Sequence, residues 1–152
     1  SGYDNLKITA NNYKNISNDR INEVIKIVGL ENRIKDKVSK YSLGMRQRLG
    51  IAQAVINKPE LLILDEPTNG LDVEGIIEIR NLIKDLSKKG IAILISSHNL
   101  TEIDNLCNRK IAIKKGKIVA DDTIENFTTI SGNKKLTLEE AFIKKVGENK
   151  ID

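Results

Sequence analysis

Apolar residues in the first part of the chain recur at the spacing of α-helices. One stripe lies between a favourable N-cap residue, Ser17, and a glycine stop, Gly29; its members are Ile21, Val24, Ile25 and Val28. A second stripe follows Ser42; its members are Met45, Leu49, Ala52 and Ile56. The Asn-rich residues 1–16 show no such pattern. We therefore expect an irregular N-terminal segment at 1–16 and a helical subdomain at 17–57.

The middle of the chain changes to uninterrupted apolar runs. Residues 61–64 and 91–95 are typical of strands buried on both faces of a parallel sheet, and residues 73–88 between them have helical spacing. Further elements are expected as a short helix at 100–106, a hairpin pairing 111–113 with 118–120, and an amphipathic helix at 138–146. This order predicts an α/β fold in which residues 58–152 form the C-terminal part of a mostly parallel core sheet.

Composition narrows the functional classes. The 152 residues have a net charge of +4, but the lysines are spread along the chain, which favours a solvated surface over a functional basic patch. Aromatic residues make up only 3%, fewer than stacking platforms for single-stranded nucleic acid need. No apolar run reaches the roughly 18–20 residues that span a bilayer. The single cysteine, Cys107, forms no intramolecular disulfide, which fits a reducing compartment.

Two adjacent acids, Asp65 and Glu66, follow the first predicted strand. Ligands of parallel α/β sheets bind beyond the carboxyl ends of the strands, and two carboxylates there are costly to desolvate without a cation or a catalytic task. Asp65 suits Mg²⁺, which prefers oxygen ligands. Glu66 is placed to orient or deprotonate a water molecule that attacks a γ-phosphate. The alternative is a strand that ends in a solvated acidic turn.

The start of the second predicted helix is a candidate anion site. Free backbone N–H groups and the helix dipole favour an anion at this end of a helix. Ser42 adds a hydroxyl, and Gly44 permits close approach of a phosphate to the backbone. Taken alone, Ser42 is more often only an N-cap.

His98 is the sole histidine and follows the second predicted strand. If the two strands are neighbours, His98 lies at the same sheet edge as Asp65 and Glu66. A neutral imidazole there can hydrogen-bond a γ-phosphate or the attacking water. The alternative is an incidental histidine.

Together these segments resemble the ATP-binding cassette (ABC) ATPases. Residues 41–47 (Tyr-Ser-Leu-Gly-Met-Arg-Gln) resemble the signature motif, residues 61–66 the Walker B strand, and residues 69–72 (Asn-Gly-Leu-Asp) the D-loop of that family. His98 resembles the switch histidine. The resemblance covers most of the chain and implies a P-loop NTPase-like domain that hydrolyses ATP with Mg²⁺.

Specific roles and partners follow from the resemblance. It implies Asp65 as the Mg²⁺ ligand, Glu66 as the catalytic base and His98 as the γ-phosphate sensor. It implies a head-to-tail homodimer in which the signature motif contacts the ATP held by the opposite subunit and the D-loop communicates across the dimer; the corresponding residues are Ser42, Leu43, Gly44, Met45 and Asp72. It also implies a transmembrane permease, a cytoplasmic location at the inner face of the membrane, and no nucleic-acid partner.

The chain departs from the family pattern in two residues and in one motif. Leu43 stands where the family usually has Gly, and Met45 where it usually has Gln; this variant resembles ATPases that serve antibiotic- or peptide-exporting permeases of bacteria. No G-x-x-x-x-G-K-[ST] loop, which cradles nucleotide phosphates, occurs in the sequence. We therefore expect a C-terminal fragment that is inactive by itself. The alternatives are a non-transport ABC ATPase, in translation or chromosome maintenance, and a non-catalytic docking module.

Overall fold

The computed structural model describes residues 1–130 and 134–148. The chain forms two compact units, Ser1–Ser96 and the residues from Ser97 onwards, each described here by itself. The elements of the first unit are α1 (Gly2–Asn11), α2 (Asn18–Ile27), a 3₁₀ turn (Val38–Lys40), α3 (Leu43–Val55), β1 (Leu61–Asp65), α4 (Val73–Lys88) and β2 (Ala92–Ser96). The predicted helical subdomain and the β1–α4–β2 segment thus belong to one unit, and the division at residue 57 stays a prediction.

The N-terminal segment is helical, which corrects the expectation of an irregular stretch at residues 1–16. Ser1 and Asp4 form a capping box: the Ser1 hydroxyl accepts the Asp4 N–H at 3.2 Å, and the Asp4 carboxylate accepts from the Ser1 amino group at 2.9 Å. Below this cap, α1 buries Leu6 and Ala10 one helical turn apart. The buried stripe of α1 contains only one large apolar residue, Leu6, beside the small residues Gly2 and Ala10. A stripe this weak is not recognisable in an Asn-rich sequence.

Helices α2, α3 and α4 begin at side-chain caps. Their N-cap residues are Ser17, Ser42 and Asp72, and each side chain accepts the backbone N–H of the residue three positions later. Helices α1 and α2 pack against α3, and α3 packs against α4. The buried side chains that these helices contribute include Leu6, Ile21, Val24, Leu49, Ile51, Ala52, Val55, Ile79, Ile83 and Leu86. The predicted helices at 73–88 and after Ser42 are confirmed.

Gly2 lies where α1 passes close to Tyr41. A Cβ atom at position 2 would stand 2.2 Å from the Tyr41 hydroxyl and 3.1 Å from its Cζ. Tyr41 is buried, and its hydroxyl donates a hydrogen bond to the Arg33 carbonyl at 2.9 Å. Burial, and then the nearby Asp36 charge, raise the pKa of this phenol. The hydroxyl is thus fixed in a place that only a glycine at position 2 accommodates.

We expect Gly2→Ala to lower the free energy of unfolding by about 1–3 kcal/mol, the usual cost of overpacking a filled site. In a Tyr41→Phe background, which itself loses a hydrogen bond worth about 0.5–1.5 kcal/mol, the alanine should cost clearly less because the obstructing oxygen is gone. Urea denaturation of the four proteins of this double-mutant cycle measures the difference. Strictly additive costs would show that the hydroxyl does not set the requirement for glycine.

Strands β1 and β2 are parallel neighbours, with Leu61 opposite Ala92 and Asp65 opposite Ser96. The expectation that both faces are buried is wrong for the described residues. Leu62 and Leu64 are buried, whereas Leu61 is 53% and Ile63 65% exposed. A continuous apolar run indicates which side chains of a strand can be buried. It does not indicate whether another layer of structure covers each face of the strand. In the described part of the chain, only one face of β1 is covered.

The second unit contains α5 (Leu100–Leu106), β3 (Arg109–Lys114), β4 (Lys117–Thr123), α6 (Ile124–Thr128), β5 (Thr129–Ile130), β6 (Lys134–Lys135) and α7 (Leu138–Glu148). The antiparallel β3–β4 hairpin, α5 and α7 are confirmed; α6 and the short β5–β6 pair were not predicted. Its core consists of Ala112, Phe127, Leu138 and Ala141. Cys107 is a free, half-buried thiol whose pKa is raised by burial. Among the described helices of the chain, none is both long and apolar enough to cross a membrane.

Candidate functional site

The carboxyl end of β1 carries Asp65 and Glu66 beside Ser96, the last residue of β2. The Ser96 hydroxyl donates a hydrogen bond to Oδ1 of Asp65 and accepts the Glu66 N–H at 3.0 Å. The Ser96 carbonyl accepts the same N–H at 3.2 Å. Asp65 is exposed and Glu66 half-buried. One residue of the neighbouring strand therefore contacts both predicted acids.

Glu66 has a left-handed backbone, with φ of +46°. Such a conformation in a residue other than glycine costs on the order of 1–3 kcal/mol and persists only where the surroundings enforce it. Here the Glu66 N–H is held by Ser96, its carbonyl accepts the Asn69 N–H at 3.1 Å, and Pro67 after it is buried. Left-handed residues occur at functional sites and also in plain turns, as at Lys115, so the distinguishing feature of this turn is that one serine holds both acids.

The donor set at this edge fits Mg²⁺ in one particular way. Among the described residues, no group of three or more His, Cys, Asp or Glu side chains is arranged to hold a metal ion. Mg²⁺ is commonly bound through one or two carboxylates, with water and substrate phosphates completing its octahedral shell. The exposed Asp65 carboxylate fits such a shared site.

The start of α3 presents hydrogen-bond donors, in contrast to the carboxylates at the end of β1. Ser42 is exposed and its Oγ accepts the Met45 N–H at 3.2 Å, while the first N–H groups of any helix lack intrahelical partners. A Cβ atom at Gly44 would meet only Leu71 Cδ2, at an ordinary contact distance of 3.8 Å. Packing within the chain therefore gives no reason for glycine here. Close approach of a ligand does give one.

The loop between β1 and α4 lies beside this helix start. A Cβ atom at Gly70 would stand 3.2 Å from Cδ2 of Leu43, and Gly70 has a φ of +74°. Asp72 at the end of the loop is exposed, and its carboxylate accepts the Gly75 N–H at 2.9 Å. The structure thus brings the signature-like and D-loop-like segments together, and it gives Asp72 a capping role that the sequence analysis did not assign.

Met45 is the least available of the predicted cofactor contacts. Its side chain is buried with 9% exposure, and its N–H is donated to Ser42. Leu43, by contrast, is 41% exposed. The contact between Met45 and nucleotide stays a prediction, without support from its surroundings.

Arg48 connects α3 to neighbouring segments and was not singled out from the sequence. Its guanidinium lies 3.6 Å from the Glu78 carboxylate on α4 and 3.5 Å from the Gly29 carbonyl after α2. Arg46 donates a hydrogen bond to the Tyr41 carbonyl at 2.5 Å, just ahead of the helix. These arginines connect the helix start to its neighbours. The contacts of Arg48 join residues that are distant along the chain and carry no periodic signal, so the sequence pattern could not reveal them.

His98 belongs to the second unit, two residues after the end of β2 along the chain, and is exposed. Its neighbours form a local turn, in which the Asn99 N–H is donated to Ser97 Oγ at 3.0 Å and Asn99 caps α5. The predicted approach of His98 to the two acids of β1 stays a prediction.

Comparison with known proteins gives the family. The family model described as "ABC transporter" matches residues 2–69, which include the start of α3 and both acids after β1. The ABC transporter ATP-binding protein YdbJ of Bacillus subtilis is 52% identical over 126 residues, which cover 82% of this chain and 41% of YdbJ. The chain belongs to the ABC transporter ATP-binding family. It thus spans about two fifths of the length of this relative.

Two further relatives of this ABC chain have names that state what they transport. The bacitracin transport ATP-binding protein BcrA of Bacillus licheniformis is 52% identical over 118 residues, covering 77% of this chain and 37% of BcrA. The lantibiotic transport ATP-binding protein SrtF of Streptococcus pyogenes is 44% identical over 136 residues, covering 88% of this chain and 59% of SrtF.

A solved structure of the ATP-binding subunit of an ABC transporter has the same fold. The match covers 95% of this chain and 62% of the chain in that structure, with a TM-score of 0.80 and 25% sequence identity. The predicted α/β cassette fold is therefore confirmed for this ABC chain.

Proposed function

We propose that this chain supplies the hydrolytic carboxylates and the signature helix of an ATPase that drives export of an antibiotic or peptide. The observation that carries the proposal is the arrangement at the carboxyl end of β1, where Ser96 holds both Asp65 and a conformationally strained Glu66. A solvated acidic turn does not need a hydroxyl that is shared between its two acids. The transport names of BcrA and SrtF support the substrate class and favour transport over the translation and chromosome alternatives.

The proposed chemistry divides between the two acids. Asp65 holds Mg²⁺, and the ion when bound neutralises charge on the nucleotide phosphates. Glu66 orients the attacking water and accepts its proton. His98 hydrogen-bonds the γ-phosphate through its imidazole. Catalysis of this kind depends on positioning, which is what a rigid turn at Glu66 provides.

The second half of the proposal concerns assembly. Ser42, Leu43 and Gly44 at the exposed start of α3 contact the ATP held by the opposite subunit of a head-to-tail homodimer. The closeness of Gly70 to Leu43 supports a role for Asp72, at the end of the same loop, in responding to the same event. A transmembrane permease brings the dimer to the inner face of the cell membrane and selects the cargo. Nucleic acid is not a partner in this proposal.

We expect the 152-residue chain alone to show no ATPase activity and little affinity for Mg-ATP. Its sequence lacks the G-x-x-x-x-G-K-[ST] loop, whose backbone N–H groups and lysine make most phosphate contacts in related enzymes. Calorimetric titration with Mg-ATP measures this, and the same titration of the complete protein is the control. Micromolar binding by the chain alone would contradict the proposal that most phosphate contacts are made by the G-x-x-x-x-G-K-[ST] loop, which these residues lack.

A further inference from the structure

Ser96 occupies a place at this site to which neither the motifs nor the comparisons assign a role. It ends β2, directly opposite Asp65 in the parallel register. Its single hydroxyl proton is donated to Oδ1 of Asp65, and its oxygen accepts the Glu66 N–H at 3.0 Å. The Ser96 hydroxyl thus acts as a donor to one, and as an acceptor from the other, of the two residues proposed to carry out hydrolysis.

We propose that Ser96 is a positioning residue for the Mg²⁺-binding carboxylate and for the catalytic base; this inference rests on the proposed function. The hydroxyl engages Oδ1 of Asp65, so that the carboxylate is held in one orientation and Oδ2 is left to a cation. Ligand groups that are oriented by a hydrogen-bonding partner bind metal ions more tightly, because less freedom is lost on binding.

The same hydroxyl secures the backbone of Glu66. The N–H of a residue at φ of +46° is held by two acceptors of Ser96, its carbonyl at 3.2 Å and its hydroxyl at 3.0 Å. Any residue at position 96 supplies the carbonyl, because β-sheet pairing provides it. Only serine or threonine supplies the hydroxyl in addition. The side chain therefore links the position of the base to the orientation of the metal ligand.

The test compares Ser96→Thr with Ser96→Val in the complete protein. Both replacements are β-branched, have nearly the same shape and suit a strand, so the hydroxyl is the main difference between them. Ser87→Ala, at an exposed serine on α4, is the control for loss of a hydroxyl elsewhere in the same unit.

We expect Ser96→Val to lower kcat by about 10–100-fold, because outer hydrogen-bond partners of metal ligands have effects of this size, and to raise KM for Mg-ATP because the metal ion is bound more weakly. Electron paramagnetic resonance of Mn²⁺, used in place of Mg²⁺ with a non-hydrolysable ATP analogue, should show a similar loss of metal affinity. Ser96→Thr and Ser87→Ala should stay close to wild type in both measurements. Thermal unfolding of each variant identifies the folded fraction to which both values are normalised.

Equal kcat and equal Mn²⁺ affinity for the threonine and valine variants would overturn the role of Ser96. A loss for valine confined to the melting temperature would also overturn it, because a merely structural hydroxyl predicts that result. The proposed function fails separately, if the wild-type protein hydrolyses no ATP or if its turnover does not depend on Glu66.

Discussion

Replacing Glu66 with glutamine in the complete protein is expected to abolish turnover while ATP stays bound and the dimer stays closed. The amide has the shape of the carboxylate but accepts no proton, and loss of a positioned base costs about 10²–10⁴-fold in rate. Glutamine and glutamate also make the same demand on a left-handed backbone, so the turn with φ of +46° should be preserved. Phosphate release measures turnover, and gel filtration with ATP measures the dimer.

The matched control for this substitution is Glu31→Gln, which makes the same chemical change at an exposed position after α2. It should leave both phosphate release and dimer formation unchanged. Turnover close to wild type in Glu66→Gln would show that Glu66 is not the base.

Introducing aspartate at Gly44 is the second change with a large expected effect. The new carboxylate would stand where we propose that a γ-phosphate approaches, and two anions at close range in a poorly screened interface repel strongly. The helix itself should survive, because acids are favourable in a first turn and because Gly44 has only Leu71 Cδ2 nearby, at 3.8 Å. We expect normal ATP binding by the monomer, no ATP-dependent dimer and no hydrolysis.

Gly50→Asp provides the comparison on the same helix. A Cβ atom at Gly50 meets nothing within 4 Å, so this substitution adds the same charge away from the proposed phosphate-facing end. The Gly50→Asp protein should form the ATP-dependent dimer and hydrolyse ATP as the wild type does. If Gly44→Asp also closes and hydrolyses normally, or if it unfolds, the phosphate-facing interpretation of α3 is wrong and Ser42 is only a cap.

Mixing Gly44→Asp with a subunit defective in its phosphate-binding loop tests whether the helix acts across the dimer. Each ATP site of the proposed dimer combines the phosphate-binding loop of one subunit with the α3 start of the other. In the heterodimer both defects therefore fall in the same ATP site, and the other ATP site is intact. Partial phosphate release should return. Heterodimers without activity would indicate that the start of α3 serves the nucleotide of its own subunit.

The sequence allowed the elements with strong local signals to be predicted. Helix α4 has a side-chain cap at Asp72 and an unbroken apolar stripe, and its bounds Val73–Lys88 agree with the prediction. The β3–β4 turn likewise follows from Lys115 and Gly116, whose φ values of +48° and +76° suit a type I′ hairpin. In each case, the residues that fix the geometry are adjacent in the sequence.

What the sequence did not predict depends on residues that are distant along the chain. The bridge from Ser96 to Asp65 and Glu66 joins positions about 30 residues apart and becomes visible only when the β1–β2 register is known. Helix α1 was missed although Ser1 and Asp4 form a capping box, because its polar face dominates the composition. The exposure of Leu61 and Ile63 could not be predicted either, since periodicity does not specify the covering layer.

The left-handed backbone of Glu66 has a consequence for efforts to make this protein more heat-tolerant. Glycine adopts this conformation without penalty and asparagine with little, so either replacement relieves strain of about 1 kcal/mol or more at this position. Under the proposed role of Glu66 as the catalytic base, heat tolerance and hydrolysis favour different residues at position 66. On that proposal, we expect a library sorted only for survival at high temperature to enrich variants that bind nucleotide and release no phosphate. A sorting step that depends on the proposed transport activity should retain the glutamate.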